Sequence, residues 1–360
     1  MVRLSWTNKK DLDVNKLKDN SINFERVKLI RPINSSGEMI NVWSNKLFWG
    51  DNKHVIFYLL SKFKDKINLI YIDPPFATGS NYILKIRLDG NIIKEFGYKD
   101  NWGKNIDSYL QMMYERLILM KELLASNGLI IIHLDWHVSH YIRAILDEIF
   151  GKERFVNEII WYYYNKYSAG KNNLPRAHDN ILIYSKGRSY TFNELRLKRD
   201  KPIKQLMRES VNGVLKNVKD ENGHVKYRIV HDKKADDVWK IPCIQPASSE
   251  WTGYPTQKHP MLLERLIQIG SNEGDLIADF FCGSGTTLQV AQRLNRKWIG
   301  CDISKYAISI AIQKFLKQRV RNSRDINFYP IELLAVKNEK TLKVIKSGFF
   351  NKTIEILRGK

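Results

Sequence analysis

The sequence predicts an α/β domain on a doubly wound, mainly parallel sheet, and three observations predict it. Four short apolar runs bounded by turn residues, at 69–73, 128–134, 276–281 and 298–303, read as buried strands. Amphipathic helical stretches alternate with them, as the crossover helices between parallel strands do. One run passes through a glycine-rich turn directly into a helix, the arrangement by which open α/β sheets bind ligands at their carboxyl edge.

Taken in order, the first 20 residues have no apolar h-region and no small-residue cleavage site, so no signal peptide is expected and the expected location is cytoplasmic. After the strand at 69–73, residues 106–126 place Tyr109, Met112, Met113, Leu117, Met120, Leu123 and Leu124 at three- and four-residue spacings, a helix stopped by Asn127-Gly128. The strand at 128–134 leads to a helix at 137–150, closed by Gly151. Two further extended segments, 158–164 and 180–185, flank a basic loop. Residues 187–253 are polar and weakly periodic, with turn signals at Asn212-Gly213 and Asn222-Gly223, and read as an insert. The strand at 276–281 is followed by a helix at 286–294 and the strand at 298–303. From Asn322 the pattern breaks into strand-like pieces at 326–334 and 353–357, with lysines at 337, 340, 343 and 346.

The 360 residues carry 59 Lys+Arg against 38 Asp+Glu, a net charge of +21, which points to a polyanionic partner through counterion release. The excess is uneven: residues 295–360 hold 15 basic and 5 acidic side chains, and 187–253 hold 14 and 9. A 43% hydrophobic content excludes global disorder, and no apolar run approaches the roughly 18–20 residues of a membrane span. Cys243, Cys282 and Cys301 lack C-x-x-C spacing, so neither a disulfide framework nor a zinc ribbon is indicated, and no metal is expected.

Two segments carry chemistry. In Asn68 to Phe76 a buried strand runs into Asp73-Pro74-Pro75-Phe76. Two prolines cannot continue a ladder, so the Asp73 and Pro74 carbonyls are held at the strand's carboxyl end. A carboxylate, a fixed carbonyl and a ring suit a planar group with an exocyclic amine, the amine hydrogens accepted by Asp73 and Pro74 and the ring stacked on Phe76. In Leu276 to Thr287, Gly283 and Gly285 let the backbone approach a ligand at a helix N-terminus, and the next strand ends at Asp302, 19 residues after Gly283, placed for ribose hydroxyls. Leu288 stands where a dinucleotide turn would want a third glycine, which favours a smaller nucleoside such as S-adenosylmethionine over NAD.

Together, and in this order, the segments resemble the β class of DNA amino-methyltransferases. Further blocks resemble type III modification subunits and their stand-alone relatives: residues 129–141 with 147–151, then 157–161, 178–186, and Tyr254-Pro255-Thr256-Gln257-Lys258-His259-Pro260. The resemblance implies a Rossmann-like S-adenosylmethionine-dependent fold, a catalytic domain over 45–186 and 254–321, a target-recognition insert at 187–253, an N-terminal extension at 1–44 and a basic C-terminal segment at 322–360. It implies that Asp73, Pro74, Pro75 and Phe76 form the catalytic segment. Phe281, Gly283, Gly285 and Asp302 would form the cofactor pocket together with Asp279, with Thr256, Gln257 and Lys258 near the methionine end and Asp51, in Gly50-Asp51, near the adenine. The implied reaction is methyl transfer to the N6 amine of adenine in duplex DNA within a restriction–modification system, because adenine-specific relatives carry Asp first in the tetrapeptide. Cytosine-N4 or RNA methylation and a catalytically idle binding module are the alternatives. A cognate restriction endonuclease and a homodimer are left open as partners.

Three weaker signals stand beside these. His133, Asp135, His137 and His140 are metal-like in type, but the first two belong to a strand and the last two to a helix. Pro242-Cys243 is too short to mark a nucleophile. Trp161-Tyr162-Tyr163-Tyr164 followed by Lys166 and Tyr167 reads equally as a nucleic-acid surface or as a strand packed on both faces.

Overall fold

In a computed structural model, residues 3–14, 22–30, 43–77, 81–88, 91–99, 106–166, 172–248, 250–321, 329–336, 338–351 and 354–357 are described. The chain runs through β1 (Phe24–Ile30), β2 (Asn45–Trp49), α1 (Asn52–Phe63), β3 (Ile67–Ile72), β4 (Asn81–Leu88), β5 (Asn91–Lys99), α2 (Asp107–Leu123), β6 (Leu124–Leu134) and α3 (Ser139–Phe150). There follow β7 (Phe155–Tyr162), β8 (His178–Ser185), β9 (Arg196–Leu206), β10 (Arg208–Val211), β11 (Val214–Asn217), β12 (Tyr227–Lys234) and β13 (Val238–Lys240). The last part holds α4 (Pro260–Gly270), β14 (Leu276–Asp279), α5 (Thr286–Arg293), β15 (Lys297–Asp302), α6 (Lys305–Arg321), β16 (Ile331–Val336), α7 (Glu339–Lys346) and β17 (Ile354–Leu357).

Ten strands form one sheet in the order β1-β16-β2-β15-β14-β3-β6-β8-β7-β13. The six from β16 to β6 are parallel, while β8 and the edge strand β1 run antiparallel to their neighbours. This is the doubly wound, mainly parallel α/β architecture expected. Alternation along the strands puts Ile70, Ile72, Ile130 and Ile132 in the core formed with α1, α2 and α3. Leu69, Tyr71 and Asp73 turn to the opposite face, where α4 lies so close that a Cβ on Gly270 would sit 3.0 Å from Leu69 Cδ1. The full burial of these strands explains their unbroken apolar runs.

Several boundaries differ from the sequence expectation. Helix α2 ends at Leu123 rather than at 126, because Leu124 already pairs with Ile67 and sheet hydrogen bonding replaces the last helical turn. The main sheet recruits β1 from the N-terminal extension and β16 from the C-terminal segment, so neither is a simple appendage. Residues 326–328 and Thr353, part of the expected terminal strands, lie outside the described residues, as do Tyr167 and Lys337. The separate compact unit is Asn193–Asp237, narrower than 187–253, since β13 adds to the main sheet beside β7. That unit consists of two antiparallel ribbons, β9 with β12 and β10 with β11. The cysteines are free, and among the described residues no helix is long and apolar enough to cross a membrane.

Candidate active site

β3 and β14 lie side by side in parallel register, Leu69 opposite Ile277 and Ile70 opposite Ala278. From β3 the chain continues to β6 on one side, and from β14 to β15 on the other. Winding reverses between them, and at that point a crevice opens beyond the carboxyl ends of the strands. A cavity of about 800 Å³ occupies this place, and every residue predicted for the site except Gly285 lines it.

On the β3 side, Asp73 follows the last strand residue, its side chain 15% exposed. Its Oδ2 is paired with the Lys258 ammonium, while its Oδ1 is buried with no hydrogen-bond partner among the described residues. Lys258 thus stands on the Asp73 carboxylate, because residues 69, 71 and 73 alternate onto the face that the segment before α4 covers. The Phe76 ring stacks on His133, with centroids 6.1 Å apart and planes 26° apart.

His133 opens a buried polar chain that the sequence did not reveal. Its Nδ1 lies 3.3 Å from the Tyr71 hydroxyl and its Nε2 3.0 Å from Asp179 Oδ2, and Tyr163 donates to Asp179 Oδ1 at 3.1 Å. Burial holds the Tyr71 hydroxyl well above its ordinary value, so it donates to Nδ1 and the imidazole donates from Nε2. Burial alone would raise Asp179, but the hydrogen bond from His133, together with the Lys258 and Lys166 charges, outweighs it and holds this carboxyl below the usual range. The chain fixes the imidazole that backs Phe76. The histidine run weighed for a metal is therefore divided: His133 faces Asp179, whereas His137 pairs with Asp135 at 2.5 Å. Among the described residues no group of three or more His, Cys, Asp or Glu is placed to hold a metal.

On the β14 side buried carboxylates shape the turn from Asp279 to α5. Gly283 and Gly285 have φ of +49° and +75°, and a Cβ on Gly285 would stand 2.8 Å from Ala311 Cβ, so this glycine packs the turn onto α6 rather than facing the cavity. Asp279 Oδ1 accepts the Phe281 N–H at 3.0 Å, and burial pushes this carboxyl up to about 7. Asp302 accepts the Gly283 N–H on Oδ2 at 2.9 Å and the Ser304 N–H on Oδ1 at 2.8 Å, and burial raises it to about 6. Asp51 caps α1 and accepts from Arg116 at 3.2 Å, while Asn52 donates to the Phe280 carbonyl at 2.9 Å, tying α1 to the turn. Gln257 is held by Thr252 and the Glu250 carbonyl. Beneath the turn Lys314 donates to Ser284 and Thr286 at 3.1 and 2.9 Å, and burial lowers it to about 7.

The remaining signals resolve by strand alternation and burial. Trp161 and Tyr163 line the cavity, whereas Tyr162 and Tyr164 are exposed. Cys243 also lines it, but burial pushes its thiol up to about 11, which leaves it protonated and a poor nucleophile.

Fold and site define a class: an α/β protein in which an under-satisfied carboxylate after one strand and a glycine turn after its neighbour face one cavity. A family model described as DNA methylase matches residues 67–313, well over half of the chain, and the chain belongs to that family. It is 30% identical over 322 residues to the type II methyltransferase M.EcaI of Enterobacter cloacae, covering 75% of this chain and 69% of that one. It is 26% identical over 279 residues to the DNA adenine methyltransferase YhdJ of Escherichia coli strain K12, covering 77% and 83%. The solved PvuII DNA methyltransferase (cytosine-N4-specific) shares the fold, with a TM-score of 0.50 and 16% identity over 86% of this chain and 94% of that one.

Proposed function

We propose that this protein transfers a methyl group from S-adenosylmethionine to the N6 amine of adenine in duplex DNA, as the modification enzyme of a restriction–modification system. The observation that carries this is Asp73: a carboxylate at the switch point with one buried oxygen that has no partner among the described residues, facing the cavity that the glycine turn also lines. A buried acceptor left unmade is costly unless a ligand's donor satisfies it, and an exocyclic amine is such a donor. Asp rather than Ser at this position and an adenine methyltransferase among the relatives support adenine.

The residues fit a nucleoside cofactor. Gly283 and the α5 N-terminus would receive its carboxylate, Asp302 and Ile303 lie on the wall toward its ribose and base, and Asp51, Thr256, Gln257, Asp279 and Phe281 line the same space. When bound, S-adenosylmethionine supplies a methyl group made electrophilic by its sulfonium. The amine lone pair is conjugated into the base and weakly nucleophilic, so Asp73 Oδ1 and the Pro74 carbonyl would accept the amine hydrogens, hold the nitrogen in a more tetrahedral geometry and face the amine proton to be shed. Phe76, fixed from behind by His133, would stack on the extruded base and offset part of its unstacking cost of a few kcal/mol. Fixed orientation of the two reactants supplies much of the rate.

The Asn193–Asp237 ribbons, whose strands carry mostly exposed side chains, would read the target sequence. A cognate endonuclease, a homodimer and a cytoplasmic location accompany this reading. The test is nucleoside mass spectrometry of methylase-free duplex DNA incubated with S-adenosylmethionine and either wild type or Asp73→Ala. N6-methyladenine from the wild type alone is the expected result; N4-methylcytosine would overturn the base assignment, and no methylated base would overturn the reaction.

A further inference from the structure

Among the described residues, Lys258 is the charged group that touches both the carboxylate and the ring of the Asp73–Phe76 segment. Its side chain is 12% exposed, its ammonium pairs with Asp73 Oδ2, and it lies 5.4 Å from the centre of the Phe76 ring. It is held there because His259 caps α4, accepting the Met261 N–H at 3.2 Å, and Pro260 opens the helix, so the backbone one residue ahead of the cap is fixed.

An ammonium carries three N–H donors and no acceptor. Among the described residues Asp73 is the acceptor it reaches, which leaves donors directed to the cavity it lines. One wall therefore presents, side by side, an unpartnered acceptor, Asp73 Oδ1, and a donor, Lys258 Nζ, next to the aromatic face of Phe76. The complementary ligand is a flat ring whose edge carries a donor beside an acceptor. An exocyclic amine next to an unprotonated ring nitrogen has that order, as in N6 and N1 of adenine or N4 and N3 of cytosine. Guanine and thymine present the reverse, a carbonyl next to a ring N–H, and would place acceptor against acceptor and donor against donor. This edge is engaged in base pairing within a duplex and becomes free only on a base turned out of the stack.

We propose that Lys258 is a specificity-determining residue: it donates a hydrogen bond to the ring nitrogen beside the target amine and holds Asp73 Oδ2, so that Oδ1 stays directed at the amine. This rests on the methyltransferase reading above and departs from a role for Lys258 at the methionine end of the cofactor.

The experiment is a chemical double-mutant cycle. The site methylated by the wild type is mapped by sequencing, and synthetic duplexes carrying it are made with adenine or with 1-deazaadenine, which keeps the amine and replaces N1 by C–H. The wild-type kcat/KM should fall by about 10–100-fold on the 1-deaza duplex, the scale of one hydrogen bond to a charged group. Lys258→Met should be slow on adenine and nearly indifferent to the replacement, while Lys258→Arg, which keeps a donor, should restore discrimination. Calorimetric S-adenosylmethionine affinity within about threefold of wild type shows that the Met variant is folded. Undiminished discrimination by Lys258→Met, or a wild type that uses both duplexes equally, would overturn the inference while leaving the methyltransferase reading intact. A wild type that methylates no adenine would remove both.

Discussion

The turns that end β3 and β14 stand next to each other at one sheet edge, and both begin with an aspartate. At the β14 turn, Asp279 and Asp302, the last residue of β15, serve the protein: two backbone N–H groups of the loop are donated to them, and Asp302 accepts a third from Ser304 after β15. In the β3 turn, Asp73 keeps one oxygen without a partner among the described residues and gives the other to a lysine. The first arrangement builds a rigid cradle at the cost of burying carboxyls that then resist ionisation. The second leaves a buried acceptor for something that is not the protein. At matched positions, the degree of satisfaction separates Asp279, which accepts an N–H of its own loop, from Asp73, which keeps an acceptor open to the cavity.

Exchanging the variants tests that contrast. Asp73→Ala should lower kcat by about 10³-fold, the upper range for losing a group that acts on the reacting centre, with unfolding free energy within about 1 kcal/mol of wild type. Asp302→Ala should show the converse emphasis, a loss of about 2–4 kcal/mol in denaturant unfolding, because two N–H groups are left without acceptors. Equal destabilisation by the two changes would break the comparison. Gly285→Ala places a Cβ 2.8 Å from Ala311 at a φ of +75°, and a loss of about 1–3 kcal/mol with weakened cofactor binding by calorimetry is expected.

The smallest effect is a pH dependence. The Lys314 ammonium is lowered by burial to about 7, against 10.5 in an open chain. Between those values the unfolded chain holds one proton more than the folded one, so this group makes stability rise as pH increases from about 7 to 10.5. Lys314→Met should remove that rise in thermal-shift curves and be more stable than wild type at neutral pH. An unchanged slope would mean that the lysine is solvated after all.

Much of this edge was legible in the sequence. The apolar runs of β3, β6, β14 and β15 are buried on both faces and need no partner pattern to be recognised, and Asp73-Pro74-Pro75-Phe76 announces its rigidity through its prolines. β1 and β16 were not placed, because an edge strand such as Phe24–Ile30 mixes charged and apolar residues and its partner lies at the far end of the chain. The pairing of Lys258 with Asp73 spans 185 positions and leaves no local mark. His133 was grouped with Asp135 and His137 because spacing alone does not say that β6 ends at Leu134, or that Asp179 from β8 lies across from it. Asp302 was read as a ligand group, and nothing in the sequence shows that each of its oxygens also accepts a backbone N–H.

The order of strands also has a consequence for the protein's synthesis. Leu276 donates its N–H to Asn68, 208 positions earlier, where β14 closes the edge of β3. At about 5–20 residues per second, a ribosome needs on the order of 10–40 s to cover that distance. Throughout this interval an apolar strand stands with one open edge, the state most exposed to wrong pairing and to chaperone capture. The nascent chain meanwhile carries Asp73 without the glycine turn beside it, so the two halves of the cavity come together only once β14 has been made.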